Sequence, residues 1–272
     1  MLNPRQIFHP FFAGFKPRKQ LGQNFLADPN IVRKILAHCS LQSDDIVLEI
    51  GPGLGVLTSQ IAPYVKSLIA IETDGRFYEA LKNKMTDSNV NFIHADFLKY
   101  DFNLLPIEKI KVIGNLPYYI SSAILIRTLT ERRHFSSLFI TVQWEFARRL
   151  AAKADTKEYG ALSCFVQYFS SVELLFKIKN TCFSPVPKVD SCFVRLDIFE
   201  EPPYRASNEE FLFMIIRQAF QQRRKTIARA LLPLIPKEEL LPILESLKLS
   251  PQLRAENLKV KDFVALANQI KA

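Results

Sequence analysis

The chain has 272 residues, 48% of them hydrophobic, enough to bury a sizeable core and, on length, to favour two domains. Its net charge of +9 and pI of about 9.4 point to an acidic partner, most simply nucleic acid, and no apolar run approaches the ~18–20 residues of a membrane-spanning helix. The four cysteines show no C-x-x-C spacing and the four histidines are scattered, which speaks against a metal site or a disulfide frame and for a cytoplasmic protein with reduced core thiols.

Residues 1–22 read as a basic arm carrying Lys16, Arg18 and Lys19. Its apolar patch is interrupted by His9 and Pro10, so it does not make a workable signal sequence. In Gln23-Asn24-Phe25-Leu26-Ala27-Asp28-Pro29, Asp28 can cap a helix whose first turn holds Pro29. Asn24 is then either a plain loop residue or part of a lid reaching a ligand.

A short apolar run, Ile46 to Ile50, ends in Gly51-Pro52-Gly53-Leu54-Gly55 and is followed by a helical pattern to about Tyr64. Strand, glycine turn and helix form the first unit of an open α/β sheet, and glycines let the backbone approach a ligand closely. The spacing is G-x-G-x-G without the Lys-Ser/Thr of a phosphate-cradling loop, which favours a nucleoside ligand lacking a pyrophosphate. The second strand, Ser67 to Ile71, delivers Glu72 about 20 residues after Gly51, where an acid meets a ribose diol. The competing role for an acid there is to cap the next helix, and Asp74 is better placed for it. A third strand, Asn89 to Ala95, delivers Asp96, and a fourth delivers Asn115 within Val112–Tyr119, VIGNLPYY. Pro117 fixes its own φ and holds Leu116 extended, so the Leu116 carbonyl has a set direction. Asn115 and that carbonyl can accept from an exocyclic amine while Tyr118 stacks on its ring. Gly51, Glu72, Asp96 and Asn115 thus fall at the carboxyl ends of successive strands, the binding edge of such a sheet.

Leu138 to Val142 continues as a fifth strand, and Leu174 to Lys179 with Cys192 to Phe199 reads as a closing antiparallel pair. Between these two, Phe183-Ser184-Pro185-Val186-Pro187 forms a stiff loop whose Phe183 is either the second face of a base clamp or a core side chain. Glu200-Glu201-Pro202-Pro203 marks a linker, so the domains are expected as 23–201 and 202–272. The second is helical over Asn208–Phe220, Lys225–Leu234, Lys237–Leu247 and Lys261–Ile270. Its Arg217, Arg223, Arg224 and Lys225 are candidate phosphate contacts, or else a solvated helix face. No sustained apolar seam is visible, so a monomer is expected.

QNFLADP, EIGPGLG, IETD, ADFL, NLPYYISS, FSPVPKVDS and RQAFQQRRKT follow in this order. They resemble the ribosomal RNA adenine N6,N6-dimethyltransferases, specifically the KsgA (RsmA) family acting on small-subunit RNA, from Lys16 to the end of the chain. The resemblance implies a class I S-adenosylmethionine-dependent methyltransferase fold: Rossmann-like, mostly parallel with an antiparallel closing strand, plus a small all-α C-terminal domain. It implies S-adenosylmethionine as cofactor, contacted by Asn24, Leu26, Gly51, Gly53, Glu72, Asp96 and Asn115. It also implies a substrate, two adjacent adenosines in a hairpin near the 3′ end of small-subunit (16S) rRNA within a pre-30S ribosomal particle, each methylated twice at N6. Asn115, Leu116, Pro117, Tyr118 and Phe183 would form the base pocket, with no general base and no metal. Rival readings are a nicotinamide-dependent dehydrogenase, a large-subunit rRNA methyltransferase of the macrolide-resistance type, and a non-catalytic assembly or transcription factor on the same fold.

Overall fold

A computed structural model describes residues 18, 22–85 and 87–270. In chain order the first elements are β1 (Phe25–Leu26), α1 (Pro29–Cys39), β2 (Ile46–Ile50), α2 (Thr58–Ile61), β3 (Ser67–Glu72), α3 (Gly75–Lys84) and β4 (Val90–His94). Then come β5 (Ile110–Asn115), α4 (Ser121–Thr130), β6 (Phe135–Gln143), α5 (Trp144–Leu150), α6 (Ala161–Phe169), β7 (Ser170–Ile178), β8 (Phe183–Ser184) and β9 (Ser191–Ile198). The last are α7 (Glu209–Gln221), α8 (Ile227–Ala230), α9 (Lys237–Ser246) and α10 (Val260–Gln269).

Seven strands form one sheet in the order β4-β3-β2-β5-β6-β9-β7. The β4-β3-β2-β5-β6 part is parallel, and β9 runs antiparallel to β6. Every residue of β2 is buried, as suits a parallel strand covered on both faces. This is the Rossmann-like sheet with an antiparallel closing strand that the resemblance implies. Asp28 caps α1, its Oδ1 accepting from the Asn30 N–H at 2.8 Å, with Pro29 at the first helical position. Val32 and Ile35 of α1 join Val47, Leu68, Ile113 and Phe139 of the sheet in one core. The four cysteines are free. Burial pushes the Cys39 and Cys164 thiols up to about 12 and that of Cys192 up to about 11.

Two expectations are corrected. The helix after the glycine turn is shorter than Val56–Tyr64: α2 stops at Ile61 and a single 3-10 turn carries Ala62–Tyr64, because Pro63 has no N–H to continue the ladder. In place of a helix over Lys225–Leu234, α8 spans Ile227–Ala230 and the chain leaves it ahead of Pro233. A two-stranded sheet of β1 with β8, Phe25 opposite Ser184 and Leu26 opposite Phe183, has no counterpart in the sequence reading, since two-residue strands carry no periodicity.

By contact density the chain divides into Met1–Ala147 with Glu173–Ile198, and Arg148–Val172 with Phe199–Ala272. The second, helical unit therefore begins earlier than a single boundary after residue 201 would have it. The reason is aromatic: Phe165, Tyr168 and Phe169 of α6 surround Phe213 of α7, with ring centroids 4.9, 5.5 and 5.5 Å away. Among the described residues no helix is long and apolar enough to cross a membrane, and no group of three or more His, Cys, Asp or Glu could hold a metal ion.

Glu49 sits in the middle of β2, 1% exposed, and its Oε2 has no hydrogen-bond partner. Burial pushes its carboxyl up to about 8, the charge of Glu72 adds to the rise, and Thr58 holds it back in part. The folded chain therefore keeps a proton that the unfolded chain releases near its ordinary 4.5, and stability falls as pH rises from there through about 8. Glu49→Gln removes this dependence. Its thermal melting temperature relative to the unsubstituted chain is expected to climb between pH 5 and pH 8; a difference that stays flat would show Glu49 to be ionised in the fold.

Candidate active site

The strand order reverses between β2 and β5, and the turns leaving these two strands open a crevice at their carboxyl ends. A cavity of about 810 Å3, its mouth included, occupies that crevice. Gly51, Gly53, Glu72, Asp96, Asn115, Leu116, Pro117 and Tyr118 all line it, as does Asn24 from the N-terminal side. The sequence-predicted residues are thus brought together by the sheet edge. Among the described residues Glu72 and Asp96 are the charged side chains of the lining, and no lysine or arginine joins them.

Gly51 and Gly53 both take left-handed backbone, φ 66° and 55°. A side chain on Gly51 would meet nothing within 4 Å, so its backbone faces open space, whereas one on Gly53 would strike the Phe25 ring at 2.9 Å. The Gly53 N–H donates to Glu72 Oε2 at 2.9 Å, and the Asp74 N–H donates to Glu72 Oε1 at 2.8 Å. Burial raises the Glu72 carboxyl above the ordinary range, opposed by these two N–H groups. Asp74 is the N-cap of α3, and its carboxyl is held down to about 2, first by the Arg76 guanidinium and also by Gln23. Capping falls to Asp74, and Glu72 is left for the cavity.

Gly22–Phe25 forms one wall of the cavity. Gln23 Nε2 donates to Asp74 Oδ2 at 3.2 Å, and Phe25 packs edge-on to Phe77, centroids 5.4 Å apart. The Asn115 amide donates from Nδ2 to the Asn24 carbonyl at 2.7 Å, so its Oδ1 stays available as an acceptor. Among the described residues no protein donor reaches the Leu116 carbonyl, while Ile120 N–H and Ser121 Oγ both donate to the Pro117 carbonyl. The Tyr118 hydroxyl lies 2.6 Å from Ser191 Oγ, which is fully buried at the start of β9. Burial raises the Tyr118 hydroxyl, and the Ser191 bond pulls it back.

Two expected site residues stand elsewhere. Leu26 is buried away from the lining, and Phe183 opposite it is 2% exposed and packs within the core. The Ser184–Pro185 bond beyond it is cis. Of the basic residues, Lys16 and Lys19 lie outside the described residues, and Arg18, Arg217, Arg224 and Lys225 are exposed. Arg223 is engaged within the helical unit, where its guanidinium donates to Glu256 and to the Thr156 and Lys157 carbonyls. Sequence reasoning passed over Gln23, Phe25, Tyr119 and Ser191; the small-polar end of FSPVPKVDS was the one available signal for the last.

The model of the ribosomal RNA adenine dimethylase family matches residues 14–272. The chain is 39% identical to the ribosomal RNA small subunit methyltransferase A of Clostridium acetobutylicum, covering 98% of each. It is 38% identical to the protein of that name from Geobacillus sp. (strain WCH70), covering 98% of this chain and 95% of the relative. Among solved structures it resembles a dimethyladenosine transferase from Plasmodium falciparum, with a TM-score of 0.79 at 29% identity over 89% of this chain and 95% of that one. It also resembles the 23S rRNA methyltransferase ErmE, with a TM-score of 0.72 at 26% identity over 90% and 99%.

Ser191→Ala leaves the Tyr118 hydroxyl without its partner and should cost about 1–2 kcal/mol in urea unfolding. Adding Tyr118→Phe should give back part of that loss; strict additivity of the two changes would show them to be energetically unconnected. Arg223→Ala should likewise cost about 1–2 kcal/mol by removing three acceptors' partner, whereas Arg224→Ala should stay within about 0.5 kcal/mol. Equal effects at the two arginines would mean that the internal bonds of Arg223 contribute little.

Proposed function

The chain belongs to the ribosomal RNA adenine dimethylase family, and we propose on that premise that it transfers methyl groups from S-adenosylmethionine to N6 of adenosines in small-subunit ribosomal RNA. The observation that carries the reading is the chemistry of the cavity lining: two carboxylates, no cation among the described residues, and the Asn115–Tyr118 turn at one end. Among the described residues a dinucleotide's pyrophosphate has no charge partner there, which speaks against the dehydrogenase reading.

The residues present fit S-adenosylmethionine. The open space over Gly51 admits a ligand against the backbone, the buried Glu72 can accept from both ribose hydroxyls, and Asp96 beside Phe97 and Leu98 suits an adenine with an amino group. When bound, S-adenosylmethionine supplies the electrophilic methyl group. The chain's own part is to hold the target amine. Adenine N6 is a weak nucleophile because its lone pair is delocalised into the ring. Asn115 Oδ1 and the Leu116 carbonyl accept from N6–H, drawing the nitrogen toward tetrahedral geometry so that its lone pair leaves conjugation with the ring and is aimed. These carbonyl dipoles, fixed in advance by the Asn24 contact and by Pro117, also stabilise the positive charge that develops on N6. Tyr118, its hydroxyl anchored on Ser191, offers the face on which an unstacked base rests. The proton leaves after methylation, when N6 is acidic, so no general base is needed.

The finer reading is that the substrate is a pair of adjacent adenosines near the 3′ end of the small-subunit RNA, met in a pre-30S particle, by a monomer in the cytoplasm. The names of the relatives at 38–39% identity support its small-subunit part. The test supplies labelled S-adenosylmethionine with unmethylated small subunits and, separately, large-subunit RNA, and identifies the labelled nucleosides. N6,N6-dimethyladenosine from small subunits alone is expected, and label in large-subunit RNA alone would overturn the choice of substrate. Asn115→Ala should lower kcat/KM about 10²–10³-fold with cofactor binding little changed. Glu72→Gln should weaken cofactor binding roughly 10-fold or more.

A further inference from the structure

The helical unit contains a second hollow, about 890 Å3 with its mouth, lined by Lys153, Ala154, Tyr159, Gln167, Tyr204 and the start of α10 at Lys259, Val260 and Lys261. Its chemistry is the reverse of the sheet-edge cavity. Three lysines surround it, and among the described residues none of them has a carboxylate within ion-pair distance. Of the acids on the neighbouring segments, Glu158 pairs with Arg148 and Glu256 with Arg223, while Asp155 and Asp262 keep their charge and accept from the Asn257 amide and the Lys259 N–H. Tyr204, 48% exposed, gives the hollow an aromatic wall facing solvent.

The lysines are carried on backbone that the fold holds firmly. Gln167 donates to the Leu150 and Ala152 carbonyls at 2.9 and 2.7 Å, and Thr156 Oγ1 donates to the Lys153 carbonyl at 2.6 Å. The loop that carries Lys153 is tied in turn to the segment before α10: the Asp155 N–H donates to the Glu256 carbonyl at 2.9 Å, and Asn257 Nδ2 donates to Asp155 Oδ1 at 2.6 Å. Arg223 reinforces the same joint through Glu256 and the Thr156 and Lys157 carbonyls. Asp155 takes a left-handed φ of 68° to make this connection. Three like charges held around one concavity repel one another, so the arrangement costs stability unless an anion fills it.

We propose that this hollow is a phosphate-backbone subsite for the RNA substrate, a binding surface additional to the Arg217–Lys225 segment. The inference rests on the functional reading above. Lys153, Lys259 and Lys261 neutralise two or three successive phosphates without reading sequence, and Tyr204 takes a ribose or base face alongside them.

The test uses the full chain with Lys153, Lys259 and Lys261 changed together to Gln, and in parallel to Arg. Affinity for small-subunit RNA is measured from 50 to 300 mM salt, beside S-adenosylmethionine affinity and melting temperature as controls of folding. Each phosphate contact contributes about 0.7–0.9 to the slope of log affinity against log salt, so the Gln variant should lose roughly 2 in slope and the Arg variant should keep it. An unchanged slope in a folded Gln variant overturns the subsite, and so does an equal loss in both variants, since that would report shape and not charge. Inorganic phosphate or adenosine monophosphate is titrated as a third arm. Saturable binding there, with the RNA slope unaltered by the Gln changes, would make the hollow a small-anion site and overturn the RNA assignment. Methylation of small subunits by the unsubstituted chain separates the two claims: its absence defeats the functional reading, whereas its presence with an unchanged slope defeats only the subsite.

Discussion

The parallel pairing of β2 with β3 on one side and β5 on the other is the constraint on which the rest of the site depends. Three buried strands held at ladder spacing bring Gly51, Glu72 and Asn115 to one edge although they are far apart in sequence. None of the three needs a long or flexible side chain to reach the crevice. The register is fixed by the apolar faces of the strands, because a slip of one residue would turn Glu49 and Val47 out of their layer. Stability and ligand geometry therefore come from the same hydrogen bonds.

Around this frame the polar groups divide into those used up by the protein and those left over. The Asp74 carboxylate is committed to Arg76, Gln23 and the first turn of α3. Glu72 holds the glycine loop and the Asp74 turn with one lone pair on each oxygen, and a carboxylate has further acceptor capacity on both. One Asn115 amide hydrogen is engaged by the Asn24 carbonyl, and among the described residues its oxygen has no donor. Internal hydrogen bonding thus selects which atoms face a ligand, without any movement of the groups that do so. The two hollows also sort by sign. An acidic one at the sheet edge suits a cationic cofactor and an amine, and a basic one in the helical unit suits phosphate.

Much of this could be read before any coordinates. Buried parallel strands announce themselves as short apolar runs, and Gly51, Glu72, Asp96 and Asn115 stand where those runs stop. Proline punctuation marked the NLPY turn, and Asp28 and Asp74 had the form of helix caps. What escaped were features that depend on a partner distant in the chain. Phe183 looks the same in sequence whether it clamps a base or fills a core, and its burial opposite Leu26 comes from a pairing no local pattern shows. Arg223, Arg224 and Lys225 read as one charge run, yet the first is turned inward by Glu256. The reach of the helical unit back to Arg148 follows from aromatic packing on Phe213, which no local pattern of α6 reveals. Proline likewise shortened α2 and α8 where apolar periodicity alone ran on.

The small β1–β8 ladder has a consequence for the order in which the molecule is made. β1 is synthesised near the start of the chain, and its partner residues Phe183 and Ser184 leave the ribosome only after the glycine turn, the Glu72 strand and the NLPY turn have all emerged. At ~5–20 residues per second that interval is many seconds, long compared with the folding of a local helix. Throughout it the wall formed by Gly22–Phe25 lacks the strand that pairs with β1. A ribosome-modifying protein thereby finishes its ligand cavity only when most of it has already left a ribosome.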